Sequence, residues 1–444
     1  MSTKQTVAVV GLGGMGLVTV KNLLEEGFDV TGFDGNAYLG GLWHFTEDED
    51  TLSVLERTSH HCNAKQVEEY LERYADHFNL RPHCVLNTVV ERVTREENGK
   101  WRLDFRNRPP GWFDKLVMAT GPHGRIVMPR FEGAEMFTGR ILHVKAFKRP
   151  EIFAGQRVMV VGLGNSGGDV CHELIGHASS ISLSHNHGAI ITPREVNGVP
   201  LTHRFSYRFF MIQRLLDTWT PSLSEWLFNS LASKAMEKHL GPINQAWRLQ
   251  NAHSIRSTSP VISDTLIPDL RSGAVHSVPG IRRITGPREV QLTNGERVPV
   301  DAIICCTGYE NKFTILPPEY DPTARMPTAW IQAPGSKGRA LPRLYQNVFS
   351  VTAPESLAFV GGEREDTLGG RAGEEDMRSR EEGHGDSCGG GTAAVVGLGG
   401  WCCGNGTGGA FGMGVEGMGV LVEGVSAVED GDGWGVGCGG LEVV

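Results

Sequence analysis

The stretch Gly11-Leu12-Gly13-Gly14-Met15-Gly16 follows a short apolar strand at Val7–Val10 and precedes residues that can form a helix. In a turn of this kind the first glycine permits a tight bend, the second lets a pyrophosphate approach the backbone, and the third lets the helix pack closely on the strand. The start of the helix then presents free N–H groups to the phosphates. This stretch predicts an α/β fold with a parallel sheet that binds a dinucleotide at the turn.

An acidic residue at a suitable offset supports the same interpretation. The pattern predicts a second strand over Phe28–Phe33, ending at Asp34, which lies 23 positions after Gly11. A carboxylate about 20 residues beyond the first glycine accepts hydrogen bonds from the ribose hydroxyls of a dinucleotide. The alternative interpretation is an ordinary turn with a surface aspartate. The cofactor-binding residues predicted in this part of the chain are Gly11, Gly13, Gly14, Gly16 and Asp34.

A second fingerprint, Gly162-Leu163-Gly164-Asn165-Ser166-Gly167-Gly168, follows another apolar strand at Val158–Val161. One such loop indicates a single nucleotide, whereas two indicate a donor and an acceptor held face to face. That arrangement is what the transfer of a hydride from a nicotinamide to a flavin requires, so the pair predicts a redox enzyme. The cofactor-binding residues predicted at the second loop are Gly162, Gly164, Asn165, Ser166 and Gly167.

Two later strands, at Lys115–Ala119 and Ala302–Cys306, each begin after an aspartate and run into a Thr-Gly pair. Flavoproteins with two nucleotide sites pass the chain between domains at such points. The pattern therefore predicts two nested Rossmann-like domains, the second inserted into the first, with crossings near residues 122–155 and 305–312. Further cofactor-binding residues predicted at these strand ends are Thr120, Gly121, Thr307 and Gly308.

Composition narrows the class of protein. The net charge of −9 argues against a nucleic-acid surface, and no charge-free apolar run is long enough to span a membrane. The first strand begins within a few residues of Met1, which leaves no room for a signal sequence. The nine cysteines lack the spacing of a zinc site or a disulfide framework. We expect a cytoplasmic protein with no metal site, no nucleic-acid partner and no membrane segment.

The last part of the chain differs from the rest. Glycine makes up 28 of the 84 residues from Gly361 to Val444, and the apolar periodicity disappears there. Such a segment buries too little apolar area to offset the entropy lost on ordering. We interpret residues 362–444 either as a disordered tail or as an aberrant one, the translation of an intron or of a shifted reading frame.

A signature precedes the second fingerprint. The stretch Phe137-Thr138-Gly139-Arg140-Ile141-Leu142-His143-Val144-Lys145-Ala146-Phe147 resembles the FxGxxxHxxx(Y/F) signature of class B flavin-containing monooxygenases. Gly40-Gly41-Leu42-Trp43 resembles the GGxW segment that this family has near its flavin, and Thr307-Gly308-Tyr309 resembles its ATGY-type strand end. The resemblance covers about residues 5–361. It adds the signature residues Phe137, Gly139, His143 and Phe147 and the cofactor-binding residues Gly41, Leu42 and Trp43. For His143 we expect a structural and gating role at the domain junction.

The resemblance implies a fold and a domain division. The FAD-binding domain would contain an inserted NADPH-binding domain, and NADH stays open as the alternative reductant. The division is residues 1–150, the first part of the FAD domain; 151–300, the NAD(P)H domain with a helical insert at about 204–241; 301–361, the return of the FAD domain; and 362–444, the glycine-rich tail. The aromatic residues of the insert are expected to pack in a core, with a substrate channel as the alternative.

The resemblance also implies an activity. Reduced flavin would react with O2 to a C4a-hydroperoxyflavin, which transfers one oxygen atom to the amine nitrogen or sulfur of a small-molecule substrate, as in fungal-type members that serve secondary metabolism. The flavin carries the chemistry, so no catalytic side chain is predicted. Baeyer–Villiger ketone oxygenation is one alternative, but its signature usually ends in Trp where this chain has Phe147. A truncated, non-catalytic flavoprotein is the other.

Three departures from the family pattern bear on activity. His61 holds the position of an asparagine that lies near the flavin in the family, and its role is not transferred to Asn63. The run Ser184-His185-Asn186-His187 stands where the family usually offers arginine to the 2′-phosphate of NADPH, although Arg194 is a possible substitute. The tail does not resemble the segment that normally completes the substrate cavity. Weak or uncoupled turnover is therefore expected.

Overall fold

The computed structural model describes residues 4–53, 63–201, 205–255, 258, 260–310, 312–326, 328 and 342–361. His61 and the glycine-rich tail at 362–444 lie outside these ranges. The α-helices are α1 Gly14–Glu25, α2 Ala64–His77, α3 Asn165–Leu174, α4 Tyr207–Trp219, α5 Pro221–Leu240 and α6 Leu266–Ser272.

The strands follow in chain order. They are β1 Thr6–Val10, β2 Asp29–Phe33, β3 Cys84–Val85, β4 Val90–Arg95, β5 Trp101–Phe105, β6 Gly111–Phe113, β7 Lys115–Met118, β8 Arg125–Ile126, β9 Arg140–His143, β10 Arg157–Val161, β11 Ser180–Ser184, β12 Ile191–Thr192, β13 Glu195–Val196, β14 Val199–Pro200, β15 Val261–Ile262, β16 Val275–Val278, β17 Ile281–Gly286, β18 Glu289–Leu292, β19 Arg297–Pro299, β20 Ala302–Cys305, β21 Tyr309–Glu310, β22 Leu344–Tyr345, β23 Phe349–Ser350 and β24 Leu357–Phe359.

The first sheet has the order β22-β23-β24-β7-β1-β2-β3, and β1, the middle one of its five parallel strands, pairs with both β2 and β7. Residues Val7–Val10 are buried on both faces of the sheet, which is why this strand reads as a continuous apolar run rather than an alternating one. Helix α1 covers one face and buries Leu17, Val20 and Leu23. The sheet thus places the turn between β1 and α1 at the carboxyl ends of the parallel strands.

The second sheet has the order β16-β11-β10-β20-β9, and each neighbouring pair is parallel. Its central strand β10 is followed by α3, as β1 is followed by α1. In both units a three-stranded antiparallel sheet precedes a strand that pairs with the central parallel strand: β4-β5-β6 precedes β7, and β17-β18-β19 precedes β20. The chain therefore contains two similarly built nucleotide units, each organised around one strand–turn–helix.

The units are nested. Strands β7 and β24 are neighbours in the first sheet, and the chain builds the whole second sheet between them. The predicted α/β fold with two nested Rossmann-like units is confirmed.

The division at residues 150 and 300 does not follow the sheets. Strand β9 lies before residue 150 and β20 lies after residue 300, yet both belong to the second sheet. The reason is that β9 is an edge strand next to β20, a pairing between residues about 160 positions apart that local patterns do not reveal. We propose that the second unit extends from β9 to β20, with the crossings between residues 119–139 and 306–343.

The predicted helical insert consists of α4 and α5. Phe228 is buried, but Trp219 and Trp226 are 80% and 66% exposed. The expectation that the insert's aromatic residues pack in a core is therefore wrong for these two tryptophans, which lie on exposed parts of α4 and α5. None of the described helices combines the length and the apolar composition that crossing a bilayer requires.

Candidate functional site

The turn between β1 and α1 admits only glycine at two positions. Gly11 has φ +100°, and its N–H donates a hydrogen bond of 2.8 Å to the carbonyl of Phe33. A Cβ atom on Gly11 would lie 2.4 Å from the carbonyl oxygen of Ala119, and one on Gly16 would lie 1.9 Å from the carbonyl oxygen of Gly11. At these two glycines β1, α1 and the end of β7 approach each other so closely that a side chain at either position would force the turn open.

The predicted segment Gly40–Trp43 packs against this turn. Gly13 caps α1 without a side-chain hydrogen bond and forms an isolated β-bridge with Gly40. Gly41 has φ +61°, and a Cβ atom there would lie 3.1 Å from the Cα of Gly13. The structure thus brings Gly41, Leu42 and Trp43 to the start of α1, where free helix N–H groups favour an anionic ligand.

Asp34 stands directly after β2, beside the turn. Its two carboxylate oxygens accept backbone hydrogen bonds of 2.8 Å, one from Leu12 and the other from Asn36. Burial raises the pKa of the carboxyl group, and these two hydrogen bonds oppose the rise. Each oxygen keeps further acceptor capacity, because a carboxylate has about four lone-pair sites. The geometry is that of a fixed acceptor for ribose hydroxyls.

The second turn repeats the first. Gly162 has φ +115° and donates a hydrogen bond of 2.9 Å to the carbonyl of Ser184. A Cβ atom on Gly162 would lie 2.4 Å from the carbonyl oxygen of Cys306, and one on Gly167 would lie 2.0 Å from the carbonyl oxygen of Gly162. Gly164 caps α3 without a side-chain hydrogen bond.

The first residues of α3 are exposed at this turn. The Oδ1 of Asn165 accepts a hydrogen bond of 2.8 Å from the backbone of Ile262, which ties α3 to β15. Ser166 is exposed beside it. Both predicted residues therefore lie at the open end of the second turn.

The residue after β11 differs from its counterpart after β2. His185 stands there, with Nδ1 2.8 Å from the carbonyl oxygen of His187 and Nε2 2.8 Å from the Oγ of Ser277. Burial lowers the pKa of His185, so the ring is neutral at pH 7. The second unit therefore carries an uncharged imidazole where the first carries a carboxylate.

Two arginines bear on the charge of the second unit. Arg194, the possible substitute for the family's phosphate-binding arginine, lies 3.7 Å from Asp169 on α3. Arg248 is exposed and follows Trp247, whose carbonyl oxygen lies 2.8 Å from Ser277 Oγ. Its positive charge is among the causes that lower the pKa of His185, so it lies within electrostatic range of that ring. Sequence reasoning missed Arg248, because it lies 63 positions beyond His185 in no recognisable motif.

The signature residues pack within the second unit. Phe137 contacts a buried cluster that includes Ile284 and Ile303. A Cβ atom on Gly139 would lie 2.1 Å from the carbonyl oxygen of Asp301, so glycine is required where β9 approaches the start of β20. Phe147 is 2% exposed and stacks on Phe153 with ring centroids 5.7 Å apart. Three of the four signature residues thus have structural roles in this unit.

His143 ties the signature to the return crossing. Its Nδ1 accepts a hydrogen bond of 3.2 Å from the N–H of Lys145, so Nε2 carries the proton and donates to the carbonyl of Gly308 at 3.1 Å. Its ring also lies edge-on to Tyr309. Burial lowers the pKa of His143, in agreement with a neutral ring. Both ring nitrogens are hydrogen-bonded, which suits a structural contact at the junction of the two units rather than a catalytic proton donor.

The two crossings are joined to each other. Strands β8 and β21 pair antiparallel, the N–H of Val127 donates to the carbonyl of Gly308 at 3.0 Å, and the Oγ1 of Thr307 donates to the carbonyl of Val127 at 2.5 Å. Thr120 is exposed at the end of β7, and Gly121 follows with φ +74°. Both predicted Thr-Gly pairs therefore lie next to the glycine turns.

The comparison with known proteins agrees with this geometry. The family model described as flavin-binding monooxygenase-like (FMO-like) matches residues 4–321. The chain belongs to this family. Monooxygenase aurF of Gibberella zeae is 40% identical over 382 residues, which cover 80% of this chain and 72% of aurF. Flavin-containing monooxygenase 1 of Rattus norvegicus is 30% identical over 70% of the chain, and the chain spans 63% of that relative's length.

Solved structures show the same fold. A flavin-containing monooxygenase from Stenotrophomonas maltophilia superposes with a TM-score of 0.54 at 19% identity, covering 86% of this chain and 99% of that one. An oxidized steroid monooxygenase bound to NADP superposes with a TM-score of 0.51 at 20% identity, covering 69% of this chain and 71% of that one. Together with the FMO-like family match, these findings make the chain a flavin-dependent monooxygenase, and the resemblance inferred from the signature is confirmed.

Proposed function

We propose that this FMO-like chain uses FAD and NADPH to insert one oxygen atom of O2 into a soft nucleophile, an amine nitrogen or a sulfur, of a small molecule. The observation that carries the proposal is the pair of glycine turns. Each is closed by backbone contacts of 2.4 Å or less to any added Cβ, and each opens at the start of a helix. Two such turns in nested units supply one site for each nucleotide.

We assign FAD to the first unit and NADPH to the second. The first unit fits FAD because Gly11, Gly13 and Gly16 leave room for a pyrophosphate and Asp34 supplies a ribose acceptor. The segment Gly40–Trp43 packs on the same turn. At the second turn, Gly162, Gly164 and Gly167 would receive the pyrophosphate of NADPH at the start of α3.

The protein's own contribution is positioning. Bound FAD supplies the acceptance of a hydride from NADPH and the activation of O2. The residues of this chain bind both cofactors at helix starts, and the His143–Gly308 hydrogen bond fixes the second unit against the return crossing. Holding the two reactants in register is itself worth several kcal/mol of the barrier, on the order of 7–11 in well-oriented systems.

The charge at the end of β11 favours NADPH over NADH in this proposal. A carboxylate at this position accepts the 2′-hydroxyl of NADH but repels the 2′-phosphate of NADPH. His185 is neutral there, and the cation of Arg248 lies within electrostatic range of it. Arg248 therefore takes the place of the arginine expected in the run 184–187.

The test is a spectrum combined with a coupled assay. Purified protein reconstituted with FAD should be yellow, should consume NADPH under air, and should convert N,N-dimethylaniline or thioanisole to the oxide, with hydrogen peroxide formed in proportion to uncoupled turnover. Conversion of cyclohexanone to a lactone instead would assign ketone oxygenation. A yellow protein without NADPH consumption would assign a non-catalytic flavoprotein, and a colourless one would refute the proposal.

A further inference from the structure

One loop of the first unit is held by three cations from the second. The loop is residues 46–53, which we name the clasp loop, and it follows the segment Gly40–Trp43. Arg140 begins β9, and Lys148 and Arg149 lie between β9 and β10. Lys148 Nζ donates hydrogen bonds of 2.8 Å to the carbonyl of Thr51 and 2.8 Å to the Oγ of Ser53. The ion pairs Arg140–Glu49 and Arg149–Glu47 flank this contact.

The clasp loop is ordered by its own hydrogen bonds. The carboxylate of Asp48 accepts hydrogen bonds from the N–H of Asp50 at 3.1 Å and from the Oγ1 of Thr51 at 2.6 Å. The Oγ of Ser53 donates to the carbonyl of Thr46 at 3.3 Å, which closes the loop on itself. A cation that binds Thr51 and Ser53 therefore holds a preformed turn, and whatever moves the cation moves the turn.

Burial distinguishes Lys148 from the two arginines. Lys148 is 7% exposed, whereas the side chains of Arg140 and Arg149 are 41% and 54% exposed. Exposed ion pairs contribute little, but a buried ammonium group is stable only when its hydrogen bonds are made. Burial lowers the pKa of Lys148, while the charges of Asp48 and Glu49 oppose that shift. The contact is therefore specific to the position of Thr51 and Ser53.

The contact between Lys148 and the clasp loop lies at the junction of the two units. Lys148 follows Phe147, which is fixed in the core of the second unit. The clasp loop continues the chain from Gly41 and Trp43, which pack at the start of α1 in the first unit. We propose that Lys148 is a positioning residue that couples the place of the second unit to the flavin side of the first. The inference rests on the proposed function for its kinetic consequence, but not for the contact itself.

The first experiment tests only whether Lys148 holds the clasp loop. Hydrogen exchange followed by mass spectrometry on the full chain should show amides of residues 46–53 exchanging at least about tenfold faster in Lys148→Met than in the wild type. Lys145→Met is the control for charge: Lys145 also acts electrostatically on Asp48, but among the described residues its side chain makes no hydrogen bond or ion pair with the clasp loop. Lys148→Arg should restore part of the protection. Unchanged exchange in Lys148→Met would overturn the proposal.

The second experiment measures its consequence. Anaerobic stopped-flow reduction of the bound FAD at saturating NADPH should slow about tenfold in Lys148→Met, with the KM for NADPH and the FAD content close to wild type, because misplacement costs rate rather than binding. If Lys148→Met does not fold, Ser53→Ala removes one of the two acceptors and should act in the same direction with a smaller effect. An unchanged reduction rate together with faster exchange would overturn the coupling.

The two experiments separate this inference from the proposed function. A wild-type protein whose FAD no nicotinamide reduces would refute the proposed function, and the exchange measurement would still decide whether Lys148 holds the clasp loop.

Discussion

The two nucleotide units share their turns and differ at the ends of their second strands. Gly11 and Gly162 both adopt positive φ, and each would meet a carbonyl oxygen at 2.4 Å if it carried a Cβ. In both units an aspartate also accepts the first N–H of the strand that leads into the glycine turn. Asp114, just before β7, accepts from Thr6 of β1 at 2.8 Å, and Asp301, just before β20, accepts from Arg157 of β10 at 2.9 Å.

The difference lies in charge. The first unit presents the carboxylate of Asp34, and the second presents the neutral ring of His185. The glycines are shared because a side chain at either position would clash with the backbone and keep a pyrophosphate from approaching the turn. The residue after the second strand varies, and it is expected beside the adenosine ribose, which is where one dinucleotide differs from another. On the proposed assignment of the cofactors, the glycines fix where a nucleotide binds, and the residue after the second strand helps to decide which nucleotide it is.

Replacing the first glycine of each turn should give the largest effects. Gly11→Ala and Gly162→Ala each impose positive φ and a clash with backbone, at a cost on the order of 3 kcal/mol or more, or about 100-fold in affinity. We expect Gly11→Ala to lose FAD, measured by absorbance, and Gly162→Ala to retain FAD but to show a raised KM for NADPH.

Matched controls exist for both variants. Gly27 and Gly176 also have φ +86°, yet a Cβ there would meet nothing within 4 Å. Alanine at these positions should affect stability modestly and leave both cofactors bound. Loss of FAD in Gly162→Ala alone would reverse the assignment of the two units.

Removing the charge of the first unit should have the next largest effect. In Asp34→Asn one amide N–H₂ faces either the N–H of Leu12 or that of Asn36, and the charged acceptor is lost. Hydrogen bonds to charged groups contribute about 1.5–3 kcal/mol, so the Kd for FAD should rise about 10- to 100-fold. Fluorescence titration measures it, and Asp29→Asn, exposed on the same strand, is the control. A change in KM for NADPH with unaltered FAD binding would contradict the assignment.

Giving the second unit the charge of the first should change its preference. His185→Asp places a carboxylate where the 2′-phosphate is expected, so the ratio of kcat/KM for NADPH to that for NADH should fall about tenfold or more. Arg248→Gln should lower the same ratio about fivefold, the value of roughly 1 kcal/mol for an exposed charge contact. Lys238→Gln, exposed on α5, should leave it unchanged. A ratio that does not respond to either substitution would place the adenosine ribose elsewhere.

The smallest effect concerns pH. The pKa values of His143 and His185 are lowered on folding by burial, so the unfolded chain binds more protons below about pH 6.5. Stability should therefore rise with pH through this region and be lost on acidification. His143→Gln should reduce stability at neutral pH by on the order of 1–2 kcal/mol and flatten this pH dependence, as urea unfolding at pH 7.5 and 5.5 would measure. His185→Gln should flatten it as well. An equal slope in all three proteins would exclude both rings as its source.

The sequence predicts the features that depend on local geometry. Both glycine turns, the strands beside them, Asp34 and the nested order follow from spacing and from the steric needs of a pyrophosphate. The apolar spacing over Gln66–Phe78 favours a helix, and α2 there spans Ala64–His77, with Asn63 and Gln66 forming a capping box at its start. Asn63 thus caps a helix.

What the sequence does not predict depends on residues far apart in the chain. His143 reaches Gly308 across 165 positions, β9 pairs with β20 across a similar interval, and Lys148 reaches Thr51 across 97. These contacts fix which sheet a strand joins and what the signature is for. The sequence also does not predict that Trp219 and Trp226 are exposed, because an aromatic residue on a helix face gives the same sequence pattern whether or not another element covers it.

The pairing of Arg125–Ile126 with Tyr309–Glu310 has a consequence for how such a chain can be rebuilt. The chain leaves the first unit and returns to it at this pair of strands, so the segment between them has adjacent ends. We call this segment the cassette. Because a short loop can bridge adjacent ends at small entropic cost, the cassette should be removable, leaving a one-nucleotide protein. A foreign cassette would need to match that strand pair and the clasp loop to be accepted in its place.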